Sequence, residues 1–254
     1  MYVVPRLTDG LGNRLFQYAV ALGLAKKWNR TVAFSRDFHL PTNHGDSEDF
    51  FKLFPDVPII TGPTAPKIIG VSSTQLFSFV DFEEPPADVV IVGALHNPRY
   101  FERVDIRPAW PLALEGSGAW MIHFRRGDYD ILSQYSVDLT RYYRRCLLAV
   151  PEGSKLRVFS DEPERCKDLL ESVVDGRAFD ISWSSERVDY KALYEMSLCT
   201  GGAITANSTF SWWGAYFAKA NARDGYRAYY PSSWGQFPDP AGIVPAWGEV
   251  VDTN

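Results

Sequence analysis

The run Trp120-Met121-Ile122-His123-Phe124 constrains this chain most. It is mostly apolar, short enough to be one buried strand, and it stops abruptly at Arg125-Arg126-Gly127-Asp128-Tyr129. In open α/β sheets, ligands sit beyond the carboxyl ends of strands. Arginine grips a phosphate in two places at once, so the cluster points to a phosphate-bearing ligand held by Arg125 and Arg126. The same residues would equally make a structural ion pair among Arg125, Arg126 and Asp128 that only braces the scaffold.

The segments after this strand alternate. Asp138 is placed to cap a helix whose apolar stripe is Leu139, Tyr142, Tyr143, Cys146, Leu147 and Val150, with Arg141, Arg144 and Arg145 on a solvated face. A strand over 156–159 stops at Ser160-Asp161-Glu162-Pro163, and Pro163 opens a helix to about Val173. A strand over 178–181, a helix capped by Asp189, a strand over 203–205 and a helix opened by Asn207-Ser208-Thr209-Phe210-Ser211 follow. Strand–helix alternation of this kind predicts a parallel sheet with right-handed crossovers.

The first half reads less regularly. A strand over 2–6 runs into Thr8-Asp9-Gly10-Leu11-Gly12-Asn13, and a helix with Phe16, Ala19, Val20, Gly23 and Leu24 on one face follows. Strand, glycine turn and helix allow backbone amides to approach an anion, though a tight turn alone would also need the glycines. A strand over 31–34 comes next, then an irregular stretch to Pro86 whose phenylalanines (50, 51, 54, 77, 79 and 82) read as packing. A strand over 88–92 ends at Gly93. Pro108, Pro111 and Glu115-Gly116-Ser117-Gly118 read as a linker, which divides the chain into domains 1–115 and 119–254.

Bulk properties exclude several classes. A net charge of -5 leaves no basic surplus for a nucleic-acid partner, and 46% hydrophobic residues support a real core. Cys146, Cys166 and Cys199 lack paired spacing, so free thiols are expected and a zinc site is not. With neither a signal-peptide pattern nor a spanning apolar run, a soluble, cytoplasmic protein is the expectation.

Three strand ends carry polar clusters: 123–128, 160–162 and 207–211. In a parallel sheet all of them leave from one edge. Asp161 offers acceptors for a guanine edge or ribose hydroxyls, and the helix start after Asn207 suits a phosphate. Ordinary helix capping explains Asp161, Ser208 and Thr209 as well, and is compatible with a site.

His123-Phe124-Arg125-Arg126-Gly127-Asp128-Tyr129 resembles the His-x-Arg-Arg-Gly-Asp-Tyr motif of α-1,2-fucosyltransferases, glycosyltransferase family eleven. The resemblance extends through Gly10-Leu11-Gly12-Asn13 with Phe16-Gln17-Tyr18-Ala19, Gly93 with Tyr100-Phe101, Phe159-Ser160-Asp161, and Asn207-Ser208-Thr209-Phe210-Ser211-Trp212-Trp213-Gly214. It implies an α/β fold of the GT-B-like kind, with two facing Rossmann-like domains and parallel sheets. Residues 1–115 would be the acceptor side and 119–254 the nucleotide-sugar side. It implies inverting transfer of L-fucose from GDP-fucose to a glycan hydroxyl, the galactose 2-OH foremost, without a metal or other cofactor.

Carried over by position, Arg125 would hold the pyrophosphate with Arg126 beside it. His123 and Asp161, next to Ser160, would contact the nucleoside. Asn207, Ser208, Thr209 and Phe210 would line the phosphate pocket, and Gly10, Gly12 and Asn13 would cover the donor. The chemistry agrees, because fixed cations can meet the charge that grows on a leaving diphosphate. Asp128 and His123 are the candidates for a base. The chain departs from the family where Asp9 replaces a glycine, Arg14 a glutamine, and His96-Asn97 a glutamine-containing step. Those changes bear on the acceptor, and Arg14 would suit an anionic one. They leave open another nucleotide deoxysugar as donor, and a non-catalytic binding module is the reading from a different class.

Overall fold

The computed structural model describes residues 1–38, 47–110, 116–237 and 240–254. The chain divides into two compact units, Met1–Leu112 and Ala113–Asn254. Pro111 and Glu115 of the expected linker lie outside the described residues.

The first unit opens with β1 (Tyr2–Pro5), α1 (Leu11–Lys27), β2 (Thr31–Val32) and β3 (Phe34–Ser35). It continues through α2 (Ser47–Leu53), β4 (Ile59–Ile60), β5 (Lys67–Gly70) and β6 (Val89–Val92). Its main sheet runs β2-β1-β6-β5, all parallel. The expected strand over 31–34 is instead two short ones, because the chain leaves β1 after Val32 and Phe34 pairs with Ile59 of β4. The phenylalanines of the irregular stretch do pack. Tyr18 and Phe34 meet Phe50, and Phe79 and Phe82 lie against Tyr100.

The turn between β1 and α1 has a definite cause. Asp9 sits at φ 62°, the left-handed region that glycine enters without penalty and aspartate tolerates better than most residues. Buried Gln17 reaches back from α1, accepting from the Thr8 amide at 3.0 Å and donating to its hydroxyl at 2.9 Å. Gly10 is the N-cap, so Gly12 and Asn13 lie in the first helical turn. Further along, α1 passes so close to the Tyr100 carbonyl that a Cβ on Gly23 would stand 1.8 Å from its oxygen.

The second unit contains β7 (Trp120–Phe124), α3 (Thr140–Leu148), β8 (Lys155–Ser160), α4 (Pro163–Val174) and β9 (Asp180–Trp183). Then come α5 (Asp189–Ser197), β10 (Gly202–Ile204), α6 (Thr209–Asn221), β11 (Ala228–Pro231) and β12 (Glu249–Val251). The sheet is six-stranded, ordered β12-β11-β10-β7-β8-β9 and parallel throughout. Read from β7, the chain builds outward to β9, returns to lay β10 on the other side of β7, and builds outward again. That is the doubly wound order, with its reversal between β7 and β10.

Each unit is thus an α/β layer on a parallel sheet, the class expected from the sequence. Helix ends differ in detail. Val188 rather than Asp189 is the N-cap of α5, and Leu139 is that of α3. Asp138 still accepts from the Thr140 amide at 2.9 Å. The strand expected over 178–181 lies two residues later, because the Ala178 carbonyl is taken by Gly153 before pairing with β8 begins at Asp180. All three cysteines are free and buried. Among the described residues no helix is long and apolar enough to cross a membrane.

Two buried histidines link the fold to pH. His96 lies between Phe16 and Phe77, with ring centroids at 4.8 and 5.9 Å, and neither ring nitrogen has a hydrogen-bond partner among the described residues. His123 is buried at the end of β7. Burial lowers both from 6.5 to about 3, helped at His123 by Arg125.

Two outcomes are expected. Gly23→Ala forces α1 off the Tyr100 backbone and should lower the unfolding free energy by roughly 1–3 kcal/mol in denaturant titration. Unchanged stability would contradict the close approach. Separately, below pH 6.5 the unfolded chain protonates both histidines while the folded chain does not until about pH 3. Stability therefore falls with acidification through that window, by about 1.4 kcal/mol per pH unit for each histidine once the unfolded form is fully protonated. His96→Phe should remove one of these two contributions from the slope measured from pH 5 to 6.5, and an identical slope would refute the assignment.

Candidate functional site

The reversal between β7 and β10 sets the carboxyl ends of two strands side by side, with a crevice beyond them. From β7 come His123, Arg125, Arg126 and Asp128. From β10 come Asn207 and Ser208 and then the start of α6, with Thr209 and Phe210. β8 lies on the other flank of β7 and delivers Ser160 and Asp161. A cavity of about 380 Å³ opens beside the end of β7, lined by Arg125, Arg126, Tyr129, Asp130 and Asn207 and walled by 135–140, while His123, Asp128, Asp161 and Ser208 lie outside its lining.

Arg125 is the centre of the cluster. One guanidinium nitrogen donates to Asp161 Oδ2 at 2.7 Å, and the other is ion-paired with Asp128 Oδ1. Its Cζ lies over the Tyr129 ring, 5.1 Å from the centroid. The side chain is 24% exposed, so it is held in place yet open to a ligand. Each oxygen of Asp161 meets the β7 loop. Its Oδ1 accepts from the Arg126 amide at 2.9 Å, and Ser160 Oγ lies 3.4 Å from the same oxygen. Gly127, at φ 52°, makes this possible, since a Cβ there would stand 2.8 Å from Asp161 Oδ2.

A second ring of charge surrounds the first. Arg126 lies 3.6 Å from Asp130 Oδ1, and Arg165 of α4 donates to Asp130 Oδ2 at 2.6 Å while also pairing with Glu162. The loop after β7 and the turn after β8 are therefore tied together by alternating charges.

Asp128-Tyr129-Asp130 is a pair of aspartates one residue apart, a spacing by which two carboxylates can share a divalent cation. The expectation that the chain holds no Asp-x-Asp pair is thereby corrected. Here the two carboxylates turn to different partners, Asp128 to Arg125 and Asp130 to Arg126 and Arg165. Among the described residues no three His, Cys, Asp or Glu side chains gather as a metal site would require.

On the β10 side, buried Asn207 donates through Nδ2 to the Tyr135 carbonyl at 2.8 Å. Ser208 is the N-cap of α6 without a side-chain cap bond. Ser211 Oγ accepts from the Ala206 amide at 3.1 Å and donates to the Ser208 carbonyl at 3.2 Å, which fixes the approach to the helix. His123 lies 6.1 Å from Phe210 between ring centroids, and its Nδ1 is buried without a hydrogen-bond partner among the described residues.

The structure thus gathers the residues expected from 119–254 on one sheet edge. Gly10, Gly12 and Asn13 belong to the first unit, at the carboxyl end of β1 and the start of α1. Arg14, an odd residue at its motif position, is buried there at 2% exposure. Tyr135, Asp130 and Arg165 gave no sign of themselves in the sequence. They sit in a loop without periodicity or on an exposed helix turn, and only the meeting of loops reveals them.

No family model matches the chain. An α-1,2-colitosyltransferase from Escherichia coli is 25% identical over 253 residues, spanning 84% of this chain and 87% of that protein. Among solved structures, the fucosyltransferase NodZ from Bradyrhizobium is 15% identical with a TM-score of 0.48, over 84% of this chain and 92% of that one. An arginine-to-lysine mutant of Arabidopsis thaliana FUT1 in complex with GDP is 14% identical with a TM-score of 0.49, over 96% of this chain and 72% of that one. By its ordered motifs and by its bacterial relative, the chain resembles the α-1,2-fucosyltransferase family of glycosyltransferases, glycosyltransferase family eleven.

Proposed function

We propose that this chain is a glycosyltransferase that moves L-fucose from GDP-fucose to a hydroxyl of a glycan acceptor, with inversion and without a metal, the galactose 2-OH being the first acceptor to try. The observation that carries this reading is the cavity at the carboxyl end of β7, beside the sheet reversal, lined by Arg125 and Arg126 and reached by Asn207 from β10. Doubly wound sheets bind nucleotides at that place. A cavity of about 380 Å³ falls in the range of small-molecule sites.

The bond that breaks joins the anomeric carbon to a phosphate oxygen, and its electron pair stays with the departing GDP. Arg125 is placed to meet that charge, and the opening turn of α6 adds its amide dipoles. The acceptor oxygen attacks the opposite face of the sugar and gives up its proton. His123, lowered to about 3 by burial and Arg125, is a poor acceptor for it. Asp128 is the better one, because a diphosphate that takes Arg125 releases this carboxylate from its ion pair and leaves its oxygen free to accept a proton. In the same picture Asp161 positions Arg125 and the Arg126 amide, rather than reading the guanine edge.

A second reading has its own support. The bacterial relative is named for colitose transfer, so a donor carrying colitose is the alternative to GDP-fucose.

The test is GDP release from GDP-fucose with and without an acceptor array, run beside the competing donor. Acceptor-dependent release is expected, and Arg125→Ala should lower turnover by roughly a hundredfold or more while the far-ultraviolet circular dichroism stays unchanged. A strong chelator should leave the rate as it was. Reversible loss restored by a divalent cation would overturn the fixed-cation mechanism and return attention to Asp128 and Asp130. Tight GDP binding without release under any acceptor would favour a binding module.

A further inference from the structure

This inference rests on the proposed nucleotide-diphosphate site and concerns what holds its main cation. Both ion-pair partners of Arg125 are carboxylates, Asp128 and Asp161. A diphosphate that competes for the guanidinium must loosen at least one of them, and the released carboxylate then repels the same anion. Whatever keeps Arg125 aimed during that exchange must be uncharged.

Such a support lies beneath it. Arg125 covers the face of Tyr129, and Tyr129 stacks on Tyr135 with centroids 5.0 Å apart and planes 18° from parallel. Tyr135 packs in turn on Phe237 at 5.3 Å. Burial holds the Tyr129 phenol well above its ordinary range against the opposing pull of Arg125, so the ring stays neutral.

The column is anchored by the loops after two other strands. Asn207, after β10, donates to the Tyr135 carbonyl. Gln236, after β11, donates its amide to the Gln134 carbonyl at 2.9 Å. Gly235, at φ 84°, allows that approach, since a Cβ there would come within 2.0 Å of the Gln134 oxygen.

We propose that Tyr129, backed by Tyr135, is the positioning residue for Arg125, a neutral aromatic face that keeps the guanidinium aligned when a nucleoside diphosphate draws it from its carboxylates. Stacking of a flat cation on a ring is attractive without adding charge that would oppose the anion. The face selects a guanidinium over an ammonium, so the effect depends on residue 125 being arginine.

The experiment uses the full chain. GDP binding is measured by calorimetry, and turnover of GDP-fucose is expressed per GDP-binding site, so loss of folded protein does not count as loss of rate. Tyr129→Leu should lower kcat per site by roughly tenfold, with a smaller change in KM. Tyr129→Phe, which keeps the face, should recover most of it. In an Arg125→Lys background, Tyr129→Leu should change little further, because the stacked partner is already gone. Should Tyr129→Leu fail to fold, Tyr135→Leu carries the test, with a smaller loss in the same direction. Wild-type kcat per site in the leucine variant, an equal loss in Tyr129→Phe, or full additivity with Arg125→Lys would overturn the proposal. If the wild-type chain does not bind GDP, the nucleotide reading itself falls and this inference falls with it. If GDP binds but no donor turns over, the proposal is likewise overturned.

Discussion

One guanidinium between two carboxylates organises the second unit. Arg125 pairs with Asp128 three residues ahead of it and with Asp161 on the next strand. The bridge is only partly exposed, so it is screened less than a surface pair. It also fixes the path of the backbone. Asp161 accepts the Arg126 amide, and Gly127 turns with a positive φ where any side chain would meet that carboxylate. A cation held this way is in place before any anion arrives, and such preorganisation makes electrostatic stabilisation effective, because little is left to rearrange as charge develops.

The sheet explains why these groups meet. Every neighbouring pair in the six-stranded sheet is parallel, so every strand ends on the same side. The chain reverses its direction of building between β7 and β10, and at this central pair the two strands are followed by helices on opposite faces. The arginine loop and the start of α6 flank that gap. The cost of polar groups at a strand end is met by hydrogen bonds among the loops themselves, as when Ser211 bridges the Ala206 amide and the Ser208 carbonyl.

Much of this was readable from residues alone. The apolar run 120–124 named a buried strand, and Pro163 and the 207–211 cluster marked helix starts, because proline and short polar residues act on the chain locally. What escaped depended on distant partners. β11 and β12 are short and close the sheet through pairing alone. Asp189 looks like a cap but falls inside its helix, because Val188 already takes the extended backbone of that position. The ties of Asp161 to the β7 loop could not be read from residues either, since they join positions 36 and 35 residues apart. Tyr135 sits in a stretch without periodicity, and its place beneath Tyr129 exists only once three loops converge.

The turn after β1 restricts which residues can stand in it. Where the family pattern has glycine, this chain has Asp9 at φ 62°. The position demands a backbone shape, and aspartate is among the few other residues that adopt it at modest cost. Aspartate and asparagine are the side chains that can replace glycine at such a turn with little strain, and a β-branched residue there would force the loop open.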